Sequence, residues 1–298
     1  MRKKLTAVLL AATMLLTSGV TVFADRVDAV IDKPYLALGA DLSPQEQMTV
    51  LSLLGLSDIN VDDYDIISIT NADEHEYLDK YLDASIIGTR ALSSVLVVGK
   101  EAGNGIHVTT KNISYCTEGM YRNALLTAGI EDADITVAGP FSISGTAALV
   151  GAIKAYETMT GEEIDDENLD AANDELVLTG KLVEDIGDSE KAEDLMALVK
   201  QEVAENKLTS AEDIQNVVDQ ACEQLDIQLS EENQQQIAKL MKKIEGLDLD
   251  VDKLKDQAKD LYQKLENLDF HVDKESVGNF FTRIIDAIVK FFQGLFGK

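Results

Sequence analysis

The spacing of apolar residues changes near residue 160, and this change divides the chain into two folding problems. Before it, Gly, Ser, Thr and β-branched residues alternate over short stretches. After it, Leu, Ile, Val and Ala recur at helical spacing among Glu, Asp, Lys and Gln. A chain patterned this way is expected to fold as α+β: an N-terminal α/β domain with a mixed sheet, followed by an all-α region.

Local signals set the elements of the first part. Ser43-Pro44-Gln45-Glu46 supplies a cap, a first-turn proline and a capping-box acid, so a helix starts at Ser43, and Gly55 ends it. Tyr64 to Thr70 reads as a strand and Asp73 to Leu82 as a helix. Ala91 to Val98 and Ile106 to Tyr115 are β-branched runs joined through Asn104-Gly105, which predicts a hairpin. A helix over Thr117 to Ala128 ends at Gly129, a strand covers Ala133 to Ala138, and a helix capped by Ser144 runs to Met159 before Gly161. In the second part Leu195, Leu198, Val199 and Val203 share a face. Ile214, Val217, Val218, Ala221, Cys222 and Leu225 form the next stripe, Ile237, Leu240, Met241 and Ile244 a third, and Leu254, Ala258, Leu261 and Leu265 a fourth. A helical bundle with solvated acidic faces accounts for them. Caps are legible at Thr209 or Ser210 and at Ser230.

The first 24 residues read as a secretory signal peptide. Arg2, Lys3 and Lys4 precede the apolar run Leu5 to Leu16, and Val22-Phe23-Ala24 fits signal peptidase. The expected organisation is therefore signal peptide 1–24, α/β domain 25–160, acidic helical region 161–275 and an amphipathic segment 276–298. The whole chain carries a net −28. Without residues 1–24, which hold three basic residues and no acidic ones, 23 basic face 54 acidic residues, a net of −31. Such a field repels phosphate backbones, which argues against a nucleic-acid partner. Cys116 and Cys222, in segments of different character, are expected to be unpaired thiols.

No catalytic constellation stands out, and no cofactor or catalytic residue is assigned. His75-Glu76 opens like a zinc-protease motif, but Asp79 stands where the second His belongs. Asp248, Asp250 and Asp252 have the alternate spacing of a calcium loop, yet Lys253 and Lys259 occupy its glycine and glutamate positions. Solvated linker accounts for them and for the denser run Glu162 to Asp170, with weak divalent-cation binding as the alternative. Ser142-Ile143-Ser144-Gly145-Thr146 follows a strand and opens a helix, where its hydroxyls serve as a cap before they serve as an anion site.

The last residues differ from the body. Phe280, Phe281, Ile284, Ile285, Ile288, Phe291, Phe292 and Leu295 line one helical face, with Arg283, Asp286, Lys290 and Gln293 opposite. From Ser276 onward three basic residues face one acidic residue, and five of the eight Phe residues fall there. This face is the candidate contact with a membrane surface or a protein partner. The charges at its centre exclude a membrane span.

Several phrases resemble a known family. Leu38-Gly39-Ala40-Asp41-Leu42-Ser43 leading into Gln47, Gly103-Asn104-Gly105-Ile106-His107-Val108, Asn112-Ile113-Ser114 and Ala133-Asp134-Ile135-Thr136-Val137-Ala138 look like the YpuA-like secreted proteins of Gram-positive bacteria, which carry domain of unknown function 1002. The likeness runs from about residue 27 through the helical region. It implies an exported, envelope-associated protein with no established activity, and it supplies no site residues. The expectation is an exported, non-enzymatic envelope or interaction protein. Its alternative is a carboxylate-dependent hydrolase acting on cell-wall or other polysaccharide.

Overall fold

A computed structural model describes residues 33–56, 60–161, 163–247 and 249–256. The first part holds β1 (Tyr35–Gly39), α1 (Pro44–Leu53), β2 (Asp65–Ile69), α2 (Asn71–Leu78), α3 (Ala84–Ile87), β3 (Ser94–Gly99), β4 (Ile106–Ile113), α4 (Glu118–Thr127), β5 (Ala133–Ile143) and α5 (Thr146–Thr160). The second holds α6 (Asp166–Ile186), α7 (Ser189–Asn206), α8 (Ala211–Gln224) and α9 (Glu231–Glu245). The α+β expectation is met.

The five strands form one mixed sheet in the order β2-β1-β3-β5-β4. β1 pairs parallel with β2 and β4 parallel with β5, while β3 pairs antiparallel with both β1 and β5. The hairpin expectation fails here, because β5 lies between β3 and β4. The carboxylate of Asp132, just before β5, accepts the N–H groups of Gly103 and Gly105 (3.0 and 2.7 Å). The connection after β3 is thereby tied to the incoming β5. β4, α4 and β5 form a helical crossover between parallel neighbours, the connection that parallel pairing requires.

The sheet has two covered faces. On one, Ala37, Val95, Val97, Ile135 and Val137 meet α4 and α5 through Leu125, Leu149, Ile153 and their neighbours, the largest core. On the other, Leu36, Leu96 and Ala138 meet Val50 of α1 and Leu54 just after it. α1 begins with the expected capping box between Ser43 and Glu46. The helical region has its own core around Leu195, Leu198, Val218, Ile237 and Met241. α6 has a side in each: Ala172 and Leu176 join the sheet core, Ala171, Leu178 and Leu182 the helical one.

Three local expectations need correction. α5 has no side-chain cap from Ser144; its cap position is Gly145 at φ 99°, and the N–H of Ala148 donates to Oγ of Ser93, just before β3 (2.9 Å). The acidic run taken for linker is helical from Asp166. Asp250, taken for linker or a calcium ligand, accepts the N–H groups of Asp252 and Lys253 (2.9 and 3.2 Å), capping a helical turn over 251–256. The thiols of Cys116 and Cys222 are free and buried in different cores, as expected.

Candidate functional site

Ligands of open α/β sheets gather at the carboxyl ends of parallel strands. β1 and β2 end side by side at Gly39 and Ile69, with the Ala40 N–H donating to the Ile69 carbonyl (2.8 Å). The loop after β1 carries Asp41. Thr70, after β2, caps α2 in a capping box with Asp73, and α2 turns Glu74 inward beneath the first turn of α5.

Glu74 is 1% exposed. Thr146 Oγ1 donates to its Oε1 (2.7 Å) and Asn71 Nδ2 to its Oε2 (3.1 Å). Burial pushes its pKa up, those two donors pull it back, and the Asp41 carboxylate adds to the rise. Beneath it the Tyr121 hydroxyl donates to the Gly145 carbonyl (2.5 Å). Burial raises the Cys116 thiol to about 12 and Tyr121 well above its usual value, so both stay neutral. Asp41 Oδ2 accepts the Ala91 N–H (2.8 Å), and Arg90 Nη2 donates to the Asp41 carbonyl (2.8 Å).

A general acid must reach the atom it protonates. Glu74 is closed over with both oxygens engaged, so it locks α2 to α5 instead of facing a substrate. Its neighbour behaves oppositely: Asp73 is drawn down to about 2, first by the Lys154 ammonium 2.5 Å away. The two therefore respond to pH with opposite signs. Stability from Asp73 is present above 3.8 and lost as pH falls toward 2. Stability from Glu74 is complete below its ordinary 4.5 and drains as pH rises above it, because the folded protein holds that proton longer. Glu74→Gln should therefore gain on the wild type between pH 4.5 and pH 7. Urea unfolding at the two pH values reads this; a constant difference would mean Glu74 titrates normally.

A second buried constellation joins the sheet domain to the helices. Glu175 of α6 and Lys200 of α7 are both 0% exposed, and Lys200 Nζ lies 3.0 and 3.2 Å from the two carboxylate oxygens. Lys200 also donates to the Asn123 carbonyl (2.9 Å) and Thr127 Oγ1 (3.1 Å) of α4, while the Thr127 hydroxyl bonds Glu175. Burial pushes Glu175 up and Lys200 down, and their mutual attraction opposes both shifts. Nearby, burial also raises Glu193, which accepts the Thr117 hydroxyl.

The sequence-derived candidates are scattered. Phe280, Phe281, Ile284, Ile285, Ile288, Phe291, Phe292 and Leu295 lie outside the described residues, as do Asp248 and His271. His75 pairs with Asp79 one turn on (Nδ1 to Oδ1 2.5 Å), whose bond raises the imidazole pKa. His107 is exposed on β4. Among the described residues no three His, Cys, Asp or Glu side chains cluster to hold a metal ion. The residues that sequence reasoning missed are Asp41, Glu74, Glu175 and Lys200. Lys200 and Glu175 left a trace there: Lys200 sits one turn from Met196 and three residues before Val203, and Glu175 one turn from Ala171 and three residues before Leu178, each on the apolar side of its helix.

The chain belongs to the DUF1002 family, described as proteins of unknown function, whose profile matches residues 38–261. Among its relatives is the uncharacterized protein YpuA of Bacillus subtilis strain 168, 38% identical over 296 residues, covering 98% of this chain and all of that protein. No solved structure matches it.

Proposed function

We propose that this is an exported, non-enzymatic protein of the cell envelope that acts by holding a membrane surface or a protein partner, with residues 276–298 as its attachment segment. The observation that carries the non-enzymatic reading is the use made of its buried acids. Among the described residues Glu74, Glu175 and Glu202 are buried, and each accepts a hydrogen bond from an internal donor: Thr146, Thr127 and Asn206. Glu74 and Glu175 thereby tie one helix to another and Glu202 bonds within α7, so each is committed internally and not offered to a glycosidic oxygen. Export rests on the basic, apolar and small-residue layout of residues 1–24. Attachment rests on the Phe-rich apolar face and small positive charge of 276–298 beside a strongly acidic body. No helix among the described residues is long and apolar enough to cross a membrane.

Fractionation of a Gram-positive host expressing the full chain, and the chain lacking 276–298, tests this. The full chain should lose its first 24 residues and stay with the envelope. The shortened chain should move to the medium with unchanged thermal unfolding. Full-length protein retained in the cytoplasm with Met1 in place would overturn export. An unfolded deletion variant would make 276–298 part of the fold and overturn the attachment role.

A further inference from the structure

The two edges of the sheet are treated differently. β4 is guarded in the ways natural edge strands are. It breaks register between Lys111 and Ile113, with Asn112 at φ 60°, and its outward Thr110 N–H is taken by Glu118 Oε1 (2.9 Å). β2, the other edge among the described residues, is Asp-Ile-Ile-Ser-Ile, with no proline or basic residue and continuous register on β1.

The direction of its free groups follows from two bonds. The Asp65 N–H donates to the Pro34 carbonyl (3.0 Å), and the Ile69 carbonyl accepts from Ala40 (2.8 Å). Along a paired strand, alternate residues turn their main-chain groups to the same neighbour. Asp65, Ile67 and Ile69 therefore face β1, and the N–H and C=O groups of Ile66 and Ser68 face outward. Both residues are exposed, Ile66 at 43% despite its apolar side chain. Asp62, Asp63 and Asp65 stand exposed at the start of this strand, and Lys33 at the same end donates to the Asp62 carbonyl (2.7 Å).

We propose that β2 is a docking edge for an extended, lysine- or arginine-bearing segment of a partner protein, which adds to the sheet as a further strand. Main-chain bonds to Ile66 and Ser68 supply the pairing, Ile66 supplies an apolar contact, and the acidic start of the strand selects the charge. A second copy of this chain would bring the same net −28 to the interface, which disfavours it as the occupant. The inference extends the interaction reading to a particular surface, and it needs neither export nor attachment through 276–298.

The test uses the full chain and two synthetic peptides of alternating Thr and Val, one flanked by lysines and one by glutamates. The lysine peptide should bind, and it should slow amide hydrogen exchange at Ile66 and Ser68. The glutamate peptide should bind about tenfold more weakly or worse, with the difference shrinking in high salt. Ser68→Pro removes an outward N–H but no bond to β1, a position where edge strands tolerate proline. It should weaken the lysine peptide by about fivefold to tenfold. Absence of binding, binding without slowed exchange at Ile66 and Ser68, or equal binding of both peptides would overturn the proposal. A dimer dissociated by Ser68→Pro would overturn it in favour of a second copy. Should Ser68→Pro misfold, the exchange measurement on the wild-type chain decides alone.

Discussion

Lys200→Met should lower the stability of the protein by about 3–5 kcal/mol, because it strands the Glu175 carboxylate in a fully buried site. The ammonium it removes also serves the Asn123 carbonyl and Thr127 Oγ1, so α4, α6 and α7 lose their shared centre together. The loss should grow with pH. Burial already raises Glu175, and the Lys200 ammonium that opposes the rise is gone in this variant, so ionising the carboxyl above its ordinary 4.5 costs more. The double variant Glu175→Leu/Lys200→Met should recover a large part of the loss, since an apolar pair of similar volume carries no desolvation penalty. Urea midpoints for the wild type, both single variants and the double variant close the cycle. A single-variant loss below about 1 kcal/mol would show that water reaches the site, for that is the range of exposed ion pairs.

That pair also shows where sequence reading stops. Element types were legible where a local signal specified them: the capping box of Ser43 and Glu46, and the apolar stripes that became α7, α8 and α9. β1 was missed because Tyr-Leu-Ala-Leu-Gly contains no β-branched residue and, buried on both faces, does not alternate with polar ones. The Asn104-Gly105 signal was real at the level of the backbone, where Gly105 has φ 73°, but it could not say which strand would pair next to β3. Pairing was decided by β5, whose partners lie far away in sequence. The same distance hid the site. Glu74 meets Thr146 across 72 positions, and Lys200 meets Asn123 across 77. Periodicity says which face a residue occupies and carries no information about what comes to face it.

Gly39→Ala should be nearly as damaging as the loss of Lys200, at about 3 kcal/mol, for a reason that lies in the backbone. A Cβ on Gly39 would stand 2.4 Å from the Ala91 carbonyl oxygen and 2.8 Å from Leu92 Cα, and main chain cannot swing aside as a side chain can. The strand β1 and the segment entering β3 are held at that closeness by a set of bonds. The Gly39 N–H donates to Ser94 Oγ (3.0 Å), the Asp41 N–H to the Ala91 carbonyl (3.1 Å), and the Ala91 N–H to Asp41 Oδ2 (2.8 Å). Pushing Ala91 away to admit a methyl group strains all three at once, and Asp41 is the residue whose charge reaches Glu74. The phrase Leu38-Gly39-Ala40-Asp41 is thus a close approach of two chains followed by the carboxylate that fastens them. Gly55→Ala separates this effect from a general cost of adding a methyl group. Nothing lies within 4 Å of a Cβ there, so only its positive φ of 82° opposes alanine, at about 1–2 kcal/mol. Chemical denaturation of the two variants should rank Gly39→Ala as the less stable, and its rim should loosen, with faster amide exchange at Gly39, Asp41 and Ala91. Equal stability of the two would mean that the chain at Ala91 yields freely, and that the rim of β1 is not held by this contact.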